Sequence, residues 1–358
     1  MDNRQLYPDF LRASAIAKIV VFHFVGWQLL TYIPSLGIMF ALAGWFVANS
    51  LKSNSGLVVI YHRLVRLLPT WWAFASVTLI AGFFYAKGEG IQLQTTFAWL
   101  FPYEKVTWNL DNSYAEDVIV VTWYISAYLT LVLLSPLLMY AYKKLSWVAI
   151  FVPVIVMVIY TQFSSYELTV YGENWYQVLM FSGCWMLGFA KADNSINNVP
   201  RYVIWTTAIF CVACGIFLTW DTQSLSSNSI ALSVMSFGVA FLLLSFNPNL
   251  TNMPHWIKAV IRATNTYAVT IYLFHNILID CAYGIGNYFH VYEIGNYIHA
   301  YEYGDNIGQS LCFVILLGLI YVAVKTIGIV ETHKWVQKAT TKESSSIIAA
   351  KAVEVSQN

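Results

Sequence analysis

The sequence predicts an all-α polytopic membrane protein with about ten transmembrane helices and both termini in the cytoplasm. Hydrophobic residues make up 58% of the 358 positions and charged residues only 10%, whereas roughly a quarter of the residues of a soluble domain are charged. The mean hydropathy is +0.60, and repeated apolar stretches are long enough to cross roughly 30 Å of hydrocarbon as helices. A net charge of +1 gives no basic field for a nucleic acid, which excludes that class of partner.

Apolar segments bounded by polar ones define the elements in chain order. The first 331 residues form one transmembrane domain, and residues 332–358 form a polar tail that we expect to be mobile in the cytoplasm. The longest outer loop, 87–117, is polar and aromatic. We predict helices at residues 10–32, 34–51, 67–86, 118–141, 146–162, 175–190, 202–220, 228–246, 263–283 and 307–327.

The distribution of positive charge orients these helices. With the N-terminus inside, 16 of the 19 Lys and Arg residues fall in inner segments, which is the positive-inside pattern. The loops 87–117 and 284–306 are therefore predicted to lie outside. Only Lys87 and Lys105 lie in outer loops and Lys18 lies within helix 1, while the inner residues are Arg4, Arg12, Lys52, Arg63, Arg66, Lys143, Lys144, Lys191, Arg201, Lys258, Arg262, Lys325, Lys334, Lys338, Lys342 and Lys351.

The first helix contains polar groups that are expensive to bury in a bilayer, within the stretch LRASAIAKIVVFHFVGW. Arg12 and His23 are eleven residues apart, so they share one stripe of the helix and are separated by about 16 Å along its axis. Asp9 precedes Arg12 by three residues and can pair with it. Lys18 lies about 120° away from that stripe. We expect Arg12 at the cytoplasmic boundary and His23 near the bilayer midplane, where polar groups are functional candidates.

The third helix begins with a pair of cations in the stretch YHRLVRLLPTWW. Arg63 and Arg66 are one turn apart at its predicted cytoplasmic start, and Pro69 lies in its first turns. Two cations at this spacing beside a membrane mouth can hold a phosphorylated ligand that enters from the cytoplasm. The alternatives are a topological anchor under the positive-inside rule and a site for anionic lipid headgroups.

The ninth helix carries the second intramembrane histidine. His275 lies thirteen residues beyond Arg262, which places it roughly 20 Å into the membrane and at a depth similar to that of His23. Structural alternatives exist for each polar group. Arg12 alone fits a positive-inside anchor, Lys18 can extend its amine to the inner surface, and His23 can be a neutral hydrogen-bond partner between helices.

The five cysteines do not predict a disulfide framework or a metal site. Cys211 and Cys214 form a CxxC pattern, which occurs in redox and zinc sites. They lie inside an apolar helix, with no second pair and no nearby histidine. We therefore interpret them as packing residues, since a buried cysteine behaves as a small hydrophobe.

Five motifs, taken in order, are similar to those of one family of membrane proteins. The chain resembles the membrane-bound acyltransferase-3 family over about residues 7–325, in the stand-alone form that lacks a C-terminal hydrolase-like domain. The family's first helix carries Arg, ten residues and then His, and its third helix starts with Arg-x-x-Arg-x-x-Pro. The stretches that carry the resemblance are PDFLRASAIAKIVVFH, GIMFALAGWFV, RLVRLLP, TWYISAYLTLVLLSPLL and IYLFH.

Two positions depart from the family pattern. Many members have Ser before the second-helix glycine, where this chain has Ala43. Many also follow the fourth-helix Trp with a pair of Glu residues, where this chain has Ala127, Tyr128 and Leu129. An acidic partner for His23 must therefore come from elsewhere, or the reaction does not need one.

The resemblance implies an O-acyltransferase of the cell (cytoplasmic) membrane. It implies that an acetyl group moves from cytoplasmic acetyl-CoA to a hydroxyl of a cell-envelope glycan or glycolipid, without a metal. His23 would be the general base, because an imidazole can take the proton of a hydroxyl near neutral pH. The residues implied in binding the donor or the acceptor are Asp9, Arg12, Arg63, Arg66, Trp123, Tyr124 and His275, among which Arg63 and Arg66 would hold the CoA phosphates.

Alternatives to this mechanism and to this class stay open. No GxSxG motif is present, so direct transfer is favoured over a serine acyl-enzyme, while an acyl-His intermediate is also compatible with the residues. A proton-coupled transporter or flippase of an envelope precursor would also use intramembrane His and Lys. A structural or sensory membrane protein would leave both midplane histidines unexplained.

Overall fold

A computed structural model describes residues 6–85, 102, 113–163, 174–220, 225, 228–288 and 306–332. Within this part of the chain 89% of the residues are helical and no strand occurs, which confirms the all-α class. The helices are α1 (Leu6–Val25), α2 (Ser35–Ser53), α3 (Gly56–Tyr85), α4 (Ser113–Leu145), α5 (Trp147–Phe163), α6 (Asn174–Ala192), α7 (Arg201–Leu218), α8 (Ser229–Ser245), α9 (His255–Thr266), α10 (Ala268–Tyr288), α11 (Asn306–Thr326) and α12 (Gly328–Glu331), with 3₁₀ turns at Gln28–Tyr32 and Ser195–Asn198.

Several of these helices suit a bilayer, so the chain is a multi-pass membrane protein. Each of the predicted apolar segments overlaps at least one helix of the structure, and the ninth overlaps two. The number of ten crossings and the cytoplasmic side of both termini stay predictions. The tail 333–358 and most of the loops 87–117 and 284–306 lie outside the described residues. Within the described part, six segments are long and apolar enough to cross a membrane: Gln28–Ser53, Gly56–Ala81, Val121–Leu145, Arg201–Leu218, Ala268–Tyr288 and Gly308–Thr326.

Helix α1 ends earlier than the predicted boundary at residue 32. Gly26 has a φ of 66°, and its N–H donates to the carbonyl of Phe22 over 2.6 Å. A glycine adopts this left-handed conformation without a steric penalty and often follows the last residue of a helix. His23 therefore lies in the last turn of α1, with a short 3₁₀ turn beyond it, rather than in the middle of a longer helix.

Helix α3 begins eleven residues before the predicted start at residue 67. Arg63 and Arg66 consequently lie two to three turns inside α3, and the prediction that they stand at its start was wrong. Pro69 lies in the helix interior, where proline removes one backbone hydrogen bond. Membrane helices tolerate this loss because neighbouring groups satisfy the freed carbonyl.

The segment predicted as the ninth helix is divided in two. Helix α9 ends at Thr266 and α10 begins at Ala268, with Tyr267 in a turn between them. The estimate of depth from Arg262 to His275 assumed one continuous helix, and that assumption was wrong. Helix α9 is short and amphipathic, with an exposed Arg262 and Trp256 exposed by 69%, so it suits the membrane surface rather than the hydrocarbon.

Close packing between α2 and α6 lies at the centre of the bundle. A Cβ atom added at Gly44 would collide with the carbonyl oxygen of Trp185, and one added at Gly188 would collide with the carbonyl oxygen of Ala41. Small residues allow membrane helices to approach this closely. Trp185 is completely buried and donates from Nε1 to Ser135 Oγ of α4 over 3.0 Å. Helices α2 and α6 thus form a closely packed support for α4 and its aromatic residues.

The two cysteines of the CxxC pattern are both free. Cys211 is buried in the main hydrophobic core, and a Cβ atom added at Gly238 of α8 would collide with it. Cys211 therefore acts as a packing residue between α7 and α8, as its apolar surroundings in the sequence indicate.

Candidate functional site

The two histidines predicted to lie within the membrane are in contact. The ring centroids of His23 on α1 and His275 on α10 are 5.0 Å apart, with the rings tilted by 55°. His275 is completely buried, with 0% exposure, whereas His23 is only half-buried. Within the described residues, the pair thus has one fully buried member and one partly exposed member.

A row of aromatic rings extends from this pair into the bundle. Tyr272 on α10 is 5.7 Å from His275 between ring centroids, and Tyr124 on α4 is 4.8 Å from Tyr272. Trp123 contacts Tyr124 edge-to-face at 6.3 Å, and it also stacks on Phe181 of α6. Trp123 and Tyr124 are therefore connected to the histidines through Tyr272.

Three arginines and one aspartate interact electrostatically near the Tyr124 end of this row. Arg12 and Arg63 both act electrostatically on Arg66, and Arg12 and Arg66 both act on Asp9. Tyr124 lies within electrostatic range of Arg12, which joins the cationic group to the aromatic row. Helices α1 and α3 thus bring together residues that are more than fifty positions apart in sequence, and the cluster has an excess of positive charge.

The two arginines of α3 differ in their surroundings. Arg63 donates from Nη2 to the carbonyl of Phe46 over 3.3 Å and to Ser50 Oγ over 3.1 Å. Both acceptors belong to the last turns of α2, so Arg63 connects α3 to α2 and contributes to the packing of the bundle. Arg66 lies one turn further along α3, among the charges of Arg12 and Glu331. Arg66 is therefore the better candidate for contact with a ligand.

Both ends of α1 are held by neighbouring helices. At its start, Asn265 of α9 donates from Nδ2 to the backbone carbonyl of Asp9 over 2.8 Å. At its end, Tyr283 of α10 donates its hydroxyl to the carbonyl of Phe24 over 2.8 Å, and the two rings stack at 5.2 Å. Because Phe24 follows His23 directly, this contact fixes the position of His23 beside α10.

Lys18 lies on α1 between the two ends of the site. Its Nζ atom is 4.9 Å from the ring centroid of Phe22, a cation–π distance, and the side chain is half-buried. The charge of Lys18 acts on His23. Lys18 therefore adds a positive charge on the same helix as Arg12 and His23.

Glu331 is a site residue that the sequence did not indicate. It is exposed by 6%, and its carboxylate accepts hydrogen bonds from Val269 N (3.2 Å), Thr270 N (3.1 Å) and Thr270 Oγ1 (2.8 Å). Burial raises the pKa of the Glu331 carboxyl, while hydrogen bonds from Thr270 and the charge of Arg66 oppose that rise. Glu331 therefore caps the N-terminus of the helix that carries His275 and also balances the arginine cluster.

The arrangement joins a cationic end to an imidazole end. Arginines bind phosphate through pairs of hydrogen bonds, and a partly exposed neutral imidazole can take a proton from a hydroxyl. In the described part of the chain, no three His, Cys, Asp or Glu side chains come together as they would around a metal ion. The chemistry that these residues can perform by themselves is proton transfer beside a bound anion.

Comparison with known proteins gives one match. A family model described as an acyltransferase domain matches residues 5–329, a segment that includes every predicted site residue and every described helix except the end of α12. No curated protein and no solved structure matches the chain significantly.

Proposed function

The chain belongs to the acyltransferase-3 family, and from this premise we propose that it moves an acetyl group from acetyl-CoA to a hydroxyl of a cell-envelope glycan or glycolipid. The family supports the coarser statement that the protein is a membrane O-acyltransferase. The observation that carries the finer proposal is the connection between the arginine cluster and the contacting pair His23 and His275. The donor, the acceptor and the role of His23 are parts of the proposal.

The donor is assigned to the arginine end. Acetyl-CoA is a polyanion, and Arg12, Arg63 and Arg66 provide positive charge that only Asp9 and Glu331 balance within this cluster. Guanidinium groups are well suited to phosphate because their fork of donors matches two phosphate oxygens. The positive-inside pattern predicts that this end faces the cytoplasm, where acetyl-CoA is made.

The reaction is assigned to His23. A hydroxyl is a poor nucleophile until a base removes its proton, and His23 is the histidine of the pair that a substrate can reach. The hydroxyl oxygen attacks the thioester carbonyl, the carbon–sulfur bond breaks, and the proton taken by His23 passes to the leaving CoA thiolate. Arg12 orients the donor within this scheme. Trp123 and Tyr124 provide an aromatic surface behind the reacting groups.

The acceptor is assigned to the outer side of the membrane. The outer segments carry most of the acidic residues and few cations, so they would repel CoA but accept a neutral sugar. Trp99, Phe101, Tyr103 and Trp108 in loop 87–117 can stack on sugar rings, but they lie outside the described residues. A transporter or flippase, the competing class, would move such a molecule without releasing CoA.

Sealed membrane vesicles test the proposal. Vesicles of both orientations that contain endogenous envelope glycans and lipids receive acetyl-CoA labelled in the acetyl group. We expect label to enter glycan or lipid, with CoA released, only where the cytoplasmic face is accessible. Transfer that is equal in both orientations of intact vesicles would contradict the assignment of the donor side. The absence of any CoA release from wild-type protein would contradict the enzyme class.

A further inference from the structure

The two nitrogens of His275 have different environments. Nδ1 is 2.5 Å from the carbonyl oxygen of Tyr272, and a carbonyl can only accept, so Nδ1 carries the proton. A neutral imidazole has one protonated nitrogen, and a fully buried ring among apolar helices favours the neutral form. Nε2 of His275 is therefore a hydrogen-bond acceptor.

This acceptor has no partner among the described residues. Nε2 of His275 is buried, and no described group donates a hydrogen bond to it. A buried polar atom is normally satisfied because an unsatisfied one is costly. The nearest titratable ring is that of His23, 5.0 Å away between centroids, and rings at this separation can bring their nitrogen edges together by a small rotation.

We propose that His275 is a positioning residue whose Nε2 accepts a hydrogen bond from His23 and so fixes the tautomer of the catalytic base. This inference rests on the proposed function. With one nitrogen of His23 donating to His275, the other nitrogen has its lone pair free for the acceptor hydroxyl. When that proton arrives, both nitrogens of His23 carry hydrogen, and the bond to His275 stabilises the resulting imidazolium.

This role takes the place of the usual orienting carboxylate. Catalytic histidines are commonly oriented by a carboxylate. The charge that acts on His23 in the structure is that of Lys18, which is positive. A neutral imidazole acceptor at His275 supplies the orienting hydrogen bond without placing a carboxylate in the hydrocarbon.

The reverse assignment, with His275 as the base, does not fit the burial. His275 is exposed by 0%, and its protonated nitrogen is occupied by Tyr272 of the same helix. An acceptor hydroxyl therefore reaches His23 first. The proton travels from the hydroxyl to His23 and then to the CoA thiolate, so His275 neither gains nor loses a proton over the cycle.

Two substitutions distinguish the roles of the two ring nitrogens of His275. In His275→Gln the side-chain amide reaches the position of Nε2 and offers an acceptor there, whereas in His275→Asn it reaches only the position of Nδ1. We expect His275→Gln to keep most of the kcat for acetyl transfer. We expect His275→Asn to lower kcat by roughly 10- to 100-fold, the usual effect of losing a partner that orients a functional imidazole. KM for acetyl-CoA should stay near the wild-type value in both.

The controls make the outcome decisive. His255 is exposed at the start of α9, so His255→Gln should leave kcat unchanged. Thermal unfolding in detergent reports whether each variant is folded. If the ring serves only to bond Tyr272, the order reverses: His275→Asn is active and His275→Gln is damaged. That reversed order, or equal activity of two folded variants, would overturn the inference.

A spectroscopic measurement separates this inference from the proposed function. Nitrogen-15 labelling of the histidines, of which the chain has seven, allows NMR to report the tautomer of His23. We expect one tautomer in the wild type and in His275→Gln, and a mixture in His275→Asn. A mixture in the wild type would overturn the inference even if acetyl transfer is observed. A single tautomer without any transfer would contradict the proposed function alone.

Discussion

The Glu331 carboxylate accepts a 2.8 Å hydrogen bond from the Thr270 hydroxyl, although the two residues are 61 positions apart in sequence. The same carboxylate accepts from the backbone N–H groups of Val269 and Thr270, which lie in the first turn of α10. A helix N-terminus has unsatisfied N–H groups and favours negative charge. The short helix α12 thus holds the beginning of the helix that carries His275.

Removal of this cap should destabilise the protein. Glu331→Ala leaves the backbone N–H groups of Val269 and Thr270 without their acceptor, for which we expect a loss of about 1–3 kcal/mol of unfolding free energy. Thr270→Val removes one of the same hydrogen bonds, and Glu331→Gln retains a carbonyl acceptor, so both should cost less. Thermal unfolding of the two single variants and of the double variant measures the coupling free energy between Glu331 and Thr270. Strictly additive effects of Glu331→Ala and Thr270→Val would contradict the contact.

The positions of the helices were predictable because apolar stretches long enough for a membrane stand out from their polar borders. The boundaries were less predictable. Helix α1 ends at Val25 before Gly26, whose positive φ is a property of the folded chain, and α3 begins at Gly56 because its apolar first turn continues through the polar stretch from His62 to Arg66 as one helix. Hydropathy alone does not register either effect.

The candidate site was predictable where one helix contained the pattern and unpredictable where contacts connect distant segments. The stripe of Arg12 and His23 follows from helical periodicity. Contact between His23 and His275 depends on how α1 packs against α10. The role of Glu331 depends on the position of α12, which follows α11 and lies beside the start of α10. Glu331 carried no sequence signal because a single acidic residue before a polar tail is ordinary.

The two arginines of α3 should respond differently to substitution. Arg66→Gln should raise KM for acetyl-CoA by roughly one to two orders of magnitude, because it removes a donor from the phosphate-binding cluster. Arg63→Gln should chiefly lower the unfolding temperature, because Arg63 bonds Phe46 and Ser50 of α2. Steady-state kinetics and thermal unfolding separate the two effects. Arg201 is exposed, so Arg201→Gln is the control variant. Equal KM values for Arg201→Gln and Arg66→Gln would argue against the donor site.

Arg12 should not tolerate lysine. Arg12→Lys keeps the positive charge that an inner anchor needs but loses the planar fork that orients a phosphate or a carbonyl. We expect kcat/KM to fall by about tenfold or more with an unchanged yield of folded protein. Normal kinetics of Arg12→Lys would show that Arg12 is only a topological anchor.

The orientation of the chain can be measured with single cysteines. In a protein without its five native cysteines, Lys105→Cys should react with an impermeant reagent on intact cells. Lys144→Cys, in a segment predicted to lie inside, should react only after the membrane is permeabilised. The positive-inside pattern is the physical reason for both expectations. Reaction of Lys105→Cys only after permeabilisation would rule out the ten-helix topology.

The most direct test of the central claim is the rate of acetyl transfer by folded His23→Gln. Glutamine keeps much of the size and hydrogen bonding of histidine but cannot take a proton, so the rate should fall by roughly 10² to 10⁴, nearly as far as in His23→Ala. If His23 were only an interhelical hydrogen-bond partner, His23→Gln would keep most of its activity and His23→Ala would mainly reduce the folded yield. Full activity of well-folded His23→Gln would contradict the assignment of His23 as the general base.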